Sequence, residues 1–156
     1  MSRKVLGVDI RSDRVSAVLV KSSLRESRIA ACLTVPIPEA ASDPAGAWRA
    51  ALEAVAGKMD LAGADCAVSM PAVFFSTRTL RVPFVNAKKI RMVLPFEMEP
   101  SLPFQADDLA IDFSLLPGAS RPNEAEVLAV AVEKARLAAV IDALAGIAID
   151  PERVTL

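Results

Sequence analysis

The first third of the chain alternates between apolar and polar positions in three short runs. Residues 4–10 and 15–21 are rich in β-branched and aliphatic side chains, and the polar stretch 11–14 between them predicts a hairpin. A third run, 28–38, ends in two prolines, which cannot continue a central strand. The pattern predicts three antiparallel strands at the start of the chain.

A helical period follows these strands. Ser42 and Asp43 precede Pro44, and a capping residue followed by proline is typical of a helix start. The apolar residues of this segment recur at i, i+3 and i+4 spacing, which places them on one helix face. They are Trp48, Ala51, Leu52, Val55 and Met59. A short apolar strand at 65–70 completes a predicted β-β-β-α-β unit.

The second half of the chain predicts another set of elements. They are a strand at 75–84, a helix capped by Asn86, strands at 108–116 and 126–132 with a loop at 117–123, a helix at 133–145 and a strand within 147–156. Pro95 lies inside the first of these helices and is expected to kink or restart it. The order β-α-β-β-α-β is that of ferredoxin-like modules. We therefore expect an α/β (α+β) protein with two subdomains, 1–84 and 85–156.

The amino-acid composition excludes several kinds of catalytic and metal-binding site. The 156 residues include 53% hydrophobic residues and no histidine, with a mean hydropathy of +0.40. The lack of histidine excludes Ser-His and Cys-His catalysis and His-ligated metal sites. Cys32 and Cys66 are too few and too isolated for a zinc site or a disulfide framework, so both are expected to be small buried hydrophobic residues. Without a signal peptide or a long apolar run, we expect a cytoplasmic protein.

Charge is unevenly distributed, although the net charge is only −1 and gives no global attraction for nucleic acid. A basic block is followed directly by an acidic block. The basic block is Arg78, Arg81, Lys88, Lys89 and Arg91, and the acidic block is Glu97, Glu99, Asp107, Asp108 and Asp112. The two blocks are either solvated faces or a bipolar docking surface.

The aspartates of the acidic block do not predict a metal site. Strand periodicity places Asp108 and Asp112 on one face and Asp107 on the other, so no oxygen cage is preformed. These carboxylates are expected at an edge of the sheet, facing the basic helix.

Three stretches of the chain resemble one known family. They are the opening strand 6–10, the segment 94–104 with the aspartates that follow it to residue 112, and the region 127–147. These stretches are similar to the actin-like cytoplasmic proteins of bacterial pilus and secretion machines, namely the PilM family of type IV pilus assembly and the L protein of type II secretion. The resemblance covers essentially the whole chain and is most specific in 94–112.

The resemblance implies a fold and a role. The first part would be half of an actin-like (ribonuclease H-like) lobe, and the second an inserted ferredoxin-like β-α-β-β-α-β subdomain placed as in FtsA. Family members are scaffolds without a cofactor, which bind an inner-membrane platform protein or the secretion ATPase. Pilus and secretion roles are not distinguished, and membrane attachment would come through the partner or a C-terminal span beyond this sequence.

The resemblance also identifies a degenerate phosphate loop. Actin-like ATPases hold phosphate in the first hairpin with an Asp-x-Gly-Ser/Thr pattern, whereas this chain has Asp9, Arg11 and Ser12 with arginine in place of the glycine. A residue other than glycine adopts a positive φ only at a cost of about 1 kcal/mol or more. We therefore expect neither ATP binding nor enzymatic activity. The alternative is a fragment of an actin-like ATPase or nucleotide switch.

The family receives an extended peptide in a cleft between its two subdomains. The corresponding junction here is expected to use the basic block and the helix after it: Arg78, Arg81, Lys88, Lys89, Arg91, Glu97 and Glu99. The basic half would favour an acidic partner segment. The strand-like end at 153–156 suggests that the natural protein continues, and uncovered apolar edges predict a homo-oligomer.

Overall fold

The computed structural model describes residues 3–37, 43–117 and 123–156. Within these residues, the strands are β1 (Arg3–Ile10), β2 (Arg14–Ser22), β3 (Ser27–Pro36), β4 (Ala64–Ser69), β5 (Phe75–Val82), β6 (Leu109–Leu115), β7 (Ala125–Glu133) and β8 (Pro151–Thr155), and the helices are α1 (Pro44–Ala56), α2 (Ala87–Met98) and α3 (Lys134–Ala145). The predicted order of strands and helices is confirmed. Ser42 and most of the predicted loop 117–123 lie outside the described residues.

The first compact unit comprises Met1–Ala72 and Ala138–Leu156. Its sheet has the order β3-β2-β1-β4-β8, in which β1, β2 and β3 are antiparallel and β4 pairs in parallel with β1 and β8. The Arg11 amide donates to the Arg14 carbonyl at 2.9 Å and closes the predicted β1–β2 hairpin. Alternate residues of β1 and β2, such as Leu6 and Val15, are buried, as expected for strands with one covered face.

Helix α1 begins and packs as its sequence predicts. The Asp43 carboxylate accepts a hydrogen bond from the Gly46 amide at 3.0 Å, and Pro44 occupies the first turn, where no amide is needed. The predicted apolar face is buried, with Leu52 and Val55 fully inaccessible. The helix is therefore anchored by its cap and by one apolar stripe.

The second compact unit comprises Val73–Leu137. Its antiparallel sheet has the order β5-β7-β6, so β5 and β6 are edge strands. Ala125, Val127, Ala129 and Ala131 of β7 form one core with the buried face of α2. Small alanines in the central strand let the helix approach the sheet closely.

The two units divide the chain differently from the expected boundary at residue 84. Strand β5 belongs to the second unit because it pairs along its whole length with β7. The predicted order β-α-β-β-α-β is present along the chain, but its last strand, β8, pairs with β4 in the sheet of the first unit. Periodicity does not reveal this exchange, since it does not specify the partner of a strand.

Pro95 does not restart α2, which excludes one of the two outcomes expected from the sequence. The helix continues to Met98, and the Glu99 amide donates to the Pro95 carbonyl. Proline lacks an amide hydrogen, so one intrahelical bond to the carbonyl of Arg91 is lost. The buried contacts of Leu94 and Met98 on either side of Pro95 hold the helix together.

Candidate partner-binding surface

The N-terminus of α2 presents two unpaired cations. Asn86 Oδ1 accepts hydrogen bonds from the amides of Lys88 and Lys89 at 3.0 and 3.2 Å, which confirms the predicted cap. Both lysine side chains are exposed, and neither ammonium group has a hydrogen bond or ion pair within the described residues. Their charges are therefore available to a partner.

Arg78 and Arg81 lie on opposite faces of edge strand β5. Arg78 is directly opposite Ala129, whose side chain faces α2, whereas Arg81 is directly opposite Glu126 on the other face of the sheet. Both arginines are exposed and unpaired within the described residues. Because side chains alternate along a strand, the two arginines lie on opposite faces of the sheet, and both belong to its edge strand β5.

The outer edge of β5 is the terminal edge of its sheet. Within the described residues, only its inner edge pairs, with β7. Thr77 and Thr79 are exposed, as is Arg78 between them. An edge strand carries unpaired backbone amides and carbonyls, which is the arrangement that accepts an added strand.

Arg91 differs from the other basic residues because it has partners. Its Nη2 atom lies 3.4 Å from Asp112 Oδ1, and its guanidinium lies 5.8 Å from the centre of the Phe113 ring. Both contacts join α2 to edge strand β6. This pair is exposed, so its contribution to stability is small.

The acidic residues near the end of α2 are not equivalent. Glu99 Oε1 accepts a hydrogen bond from the Ala106 amide at 3.5 Å, whereas Glu97 is exposed and unpaired within the described part of the chain. Asp107 and Asp108 lie in the 3-10 turn Ala106–Asp108, before β6 begins. The expectation that Asp108 shares a strand face with Asp112 is therefore wrong, because the turn interrupts the strand period.

An apolar stripe runs along the outer face of α2. The exposed fractions of Val85, Met92 and Phe96 are 57%, 67% and 72%. Met92 and Phe96 are one helical turn apart on the side opposite Leu94 and Met98, and Val85 lies just before the helix begins. This stripe was not predicted from the sequence, although the apolar residues of α2 fall on two of its faces.

The degenerate phosphate loop is occupied by an internal ion pair. Arg11 Nε lies 2.7 Å from Asp9 Oδ2. Arg11 does not adopt a positive φ, since among the described non-glycine residues only Asn123 and Ala148 do so. The expected backbone strain is therefore absent, because a hairpin of ordinary φ values replaces the glycine turn. The arginine instead partners the aspartate of the motif.

The two cysteines have different environments. Cys66 on β4 is buried, and desolvation raises the pKa of its thiol to about 11. Cys32 is exposed, contrary to the expectation of burial, because it lies on edge strand β3 and points away from the covered face. Its neighbours Ala31 and Leu33 are only partly buried.

The described residues contain neither a cluster of metal-ligating side chains nor a membrane-spanning helix. Within residues 3–37, 43–117 and 123–156, no group of three or more His, Cys, Asp or Glu side chains is arranged to hold a metal ion. Over the same ranges, no helix has the length and apolar character needed to cross a membrane.

Comparison with known proteins identifies a family. The sequence profile described as "Type IV pilus assembly protein PilM" matches residues 7–155. No curated protein sequence matches the chain significantly. At the level of sequence, the assignment of the chain to a family therefore rests on this profile.

Solved structures share the fold at low sequence identity. The PilM–PilN type IV pilus biogenesis complex matches with a TM-score of 0.78 and 19% identity over 97% of this chain and 47% of that chain. The cytoplasmic domain of EpsL, an inner-membrane component of the type II secretion system of Vibrio cholerae, gives 0.67 and 16% over 97% and 56%. A Bacteroides thetaiotaomicron protein with an actin-like ATPase fold and unknown function gives 0.54 and 8% over 98% and 52%.

The three structural similarities establish the fold of the chain and how much of each protein it corresponds to. The chain spans about half the length of each of the three proteins and shares their actin-like architecture. The family profile covers nearly the whole sequence, from the second half of β1 to the end of β8. The chain belongs to the family of the type IV pilus assembly protein PilM.

Proposed function

We propose that the chain is a scaffold at the cytoplasmic face of the inner membrane, where it captures the cytoplasmic segment of a pilus or type II secretion component. Family membership supports this role, as do the two structural neighbours described as a pilus biogenesis complex and a secretion-system component. The second unit corresponds in this proposal to the inserted subdomain.

The observation that carries the proposal is the open edge of β5. An extended peptide that adds to this edge pairs through its backbone, and its alternate side chains point to the two faces of the sheet. Arg78 lies on one face and Arg81 on the other. A peptide with acidic residues at neighbouring positions would therefore meet both arginines.

The seven expected contact residues then have different roles. Arg78, Arg81, Lys88 and Lys89 are exposed and unpaired within the described residues, so they supply the attraction for an acidic segment. Arg91 and Glu99 already contact Asp112 and the Ala106 amide, so they are less available to a partner, and Glu97 repels an acidic segment that binds out of register. Such charges act mainly on association rate and specificity.

The alternative of an actin-like nucleotide switch has less support. Phosphate binding requires inward-facing backbone amides and available positive charge. Here the Arg11 guanidinium is paired with the Asp9 carboxylate. A phosphate would compete with that internal pair, so we propose no ATPase activity for this chain.

Charge reversal tests the proposal. The binding partner is a synthetic peptide of the cytoplasmic segment of the inner-membrane component from the same pilus or secretion system, measured by fluorescence anisotropy. Arg81→Glu combined with Lys89→Glu should weaken binding roughly tenfold, mostly through a slower association rate. The matched control is Arg49→Glu with Lys58→Glu, which changes the net charge equally at exposed positions of the first unit.

Two further readouts decide the placement of the site. Both double variants should retain their melting temperatures within a few degrees, because exposed substitutions usually change stability by less than about 0.5 kcal/mol each. Peptide binding should slow amide hydrogen exchange in β5, since free backbone groups become paired. Equal binding by the two double variants, or unchanged exchange in β5, would reject this surface.

A further inference from the structure

The tip of the β2–β3 hairpin, residues 21–28, carries the most exposed large apolar side chain of the described residues. Leu24 is 98% exposed, and Ile29 next to the tip is 70% exposed. Leu24 sits in an otherwise polar stretch, Lys-Ser-Ser-Leu-Arg-Glu-Ser-Arg, which Ile29 follows directly. A leucine that projects fully from a hairpin contributes nothing to the core.

Hydrogen bonds between Ser23 and Glu26 close the turn at this tip. The Ser23 amide donates to the Glu26 carbonyl at 2.7 Å, and Ser23 Oγ accepts from the Glu26 amide at 3.2 Å. The hydroxyls of Ser22 and Ser27 are 2.7 Å apart across the strands. Leu24 and Arg25 occupy the two central positions of this closed turn.

Cations surround the exposed leucine. Lys21 lies directly opposite Arg28 in the strand pairing and opposite Lys4 on its other side. The Asp60 carboxylate binds the Lys4 ammonium at 2.6 Å and lies near enough to Lys21 to attract its charge, but neither Lys21 nor Arg28 has a hydrogen bond or ion pair within the described residues. Like charges placed directly opposite each other are destabilising. A neighbouring anion would relieve their repulsion.

We propose that this tip docks on an anionic lipid bilayer, with Leu24 inserted below the headgroups and Lys21, Arg25 and Arg28 against the lipid phosphates. Charge complementarity favours an anionic surface, because the tip has three cations and only Glu26 as an acidic residue. The exposed leucine favours a bilayer over a hydrophilic polyanion. This contact is independent of peptide capture by the second unit.

A bilayer also fits the shape of the tip better than a protein partner does. Stable protein interfaces bury about 1,200 Å² or more and need complementary packing around aromatic or arginine anchors. A narrow turn with one projecting leucine offers neither. A lipid surface requires no shape complementarity, so a single side chain and a few cations suffice for reversible binding.

The expected strength of membrane binding combines the contributions of the cations and of Leu24. Each cation near an anionic surface increases the partition coefficient about fivefold, and burial of one leucine increases it roughly 10- to 100-fold. Lys21→Gln with Arg28→Gln should therefore reduce binding about 25-fold. Binding should also weaken as salt is raised, because the cationic contribution is screened.

Vesicle sedimentation measures these effects. The chain is mixed with vesicles of phosphatidylglycerol and phosphatidylcholine in equal parts, or of phosphatidylcholine alone. We expect binding only to the anionic vesicles, with the loss stated above for the double glutamine variant and a loss of at least tenfold for Leu24→Ser. Lack of binding to anionic vesicles at millimolar lipid, or equal binding by the two variants and the parent chain, overturns the proposal.

A fluorescent probe tests insertion of the tip itself. Leu24→Trp places a reporter at the exposed position, and Val73→Trp, at a position that is 84% exposed on the second unit, is the matched control. Trp48 is buried in both variants, so its signal is subtracted using the parent chain. Brominated anionic vesicles should quench Leu24→Trp and leave Val73→Trp unchanged. Binding without quenching at position 24 would show contact through another surface and reject the proposal.

Discussion

Replacement of Asn86 by alanine tests how α2 is held at the site. The Asn86 side chain is the only group that caps this helix start among the described residues, and one oxygen accepts from the amides of both Lys88 and Lys89. The backbone bond from the Ile90 amide to the Asn86 carbonyl, at 3.0 Å, is unaffected by the substitution. The variant therefore removes the cap alone.

The exposure of Asn86 determines how much stability the alanine substitution removes. Asn86 is exposed, so alanine removes no packing, and the two freed amides are hydrated rather than buried. We therefore expect a loss of about 1 kcal/mol, the typical value for an N-cap, rather than the larger penalty of a buried unpaired donor. If the chain unfolds cooperatively, this corresponds to a decrease of roughly 2–4 °C in melting temperature.

Urea denaturation followed by circular dichroism measures the change. Asn86→Asp is the matched control, since a carboxylate accepts the same two bonds and also favours the positive end of the helix dipole. Stability should fall with alanine and stay unchanged or rise with aspartate. A loss below about 0.3 kcal/mol for alanine, or an equal loss for aspartate, would refute the assignment of the cap.

Three further predictions concern the first unit. Because Arg11 is paired with Asp9, calorimetric titration with Mg-ATP should give no binding tighter than about 0.1 mM, and a stronger signal would contradict a degenerate loop. Cys66 is buried and its thiol pKa is raised to about 11, whereas Cys32 is exposed. An aromatic disulfide reagent at pH 8 should therefore label Cys32 at least roughly a hundredfold faster than Cys66, and unfolding should abolish this difference. Because β3 is a ten-residue edge strand with exposed Ile29, light scattering should show dimers or larger species at high concentration, and a constant monomer mass would exclude self-association.

Local patterns in the sequence determine much of the local structure. The caps of α1 and α2 were predicted because Asp43 and Asn86 bond to amides two or three residues away. The buried face of α1 was predicted because helical periodicity depends only on spacing along the chain. The hairpin at 11–14 was predicted for the same reason, since its two strands are neighbours in sequence.

The tertiary structure decided every feature that depends on distant partners. Strand β8 pairs with β4 and not with the second sheet. The order of strands in the second sheet makes β5 an edge strand, so Arg78 and Arg81 lie on the two faces of a strand with one open edge. Cys32 is exposed for a similar reason, because its strand is the outermost of its sheet. Side-chain alternation along a strand is a local property, but pairing and coverage of that strand depend on residues far away in the sequence.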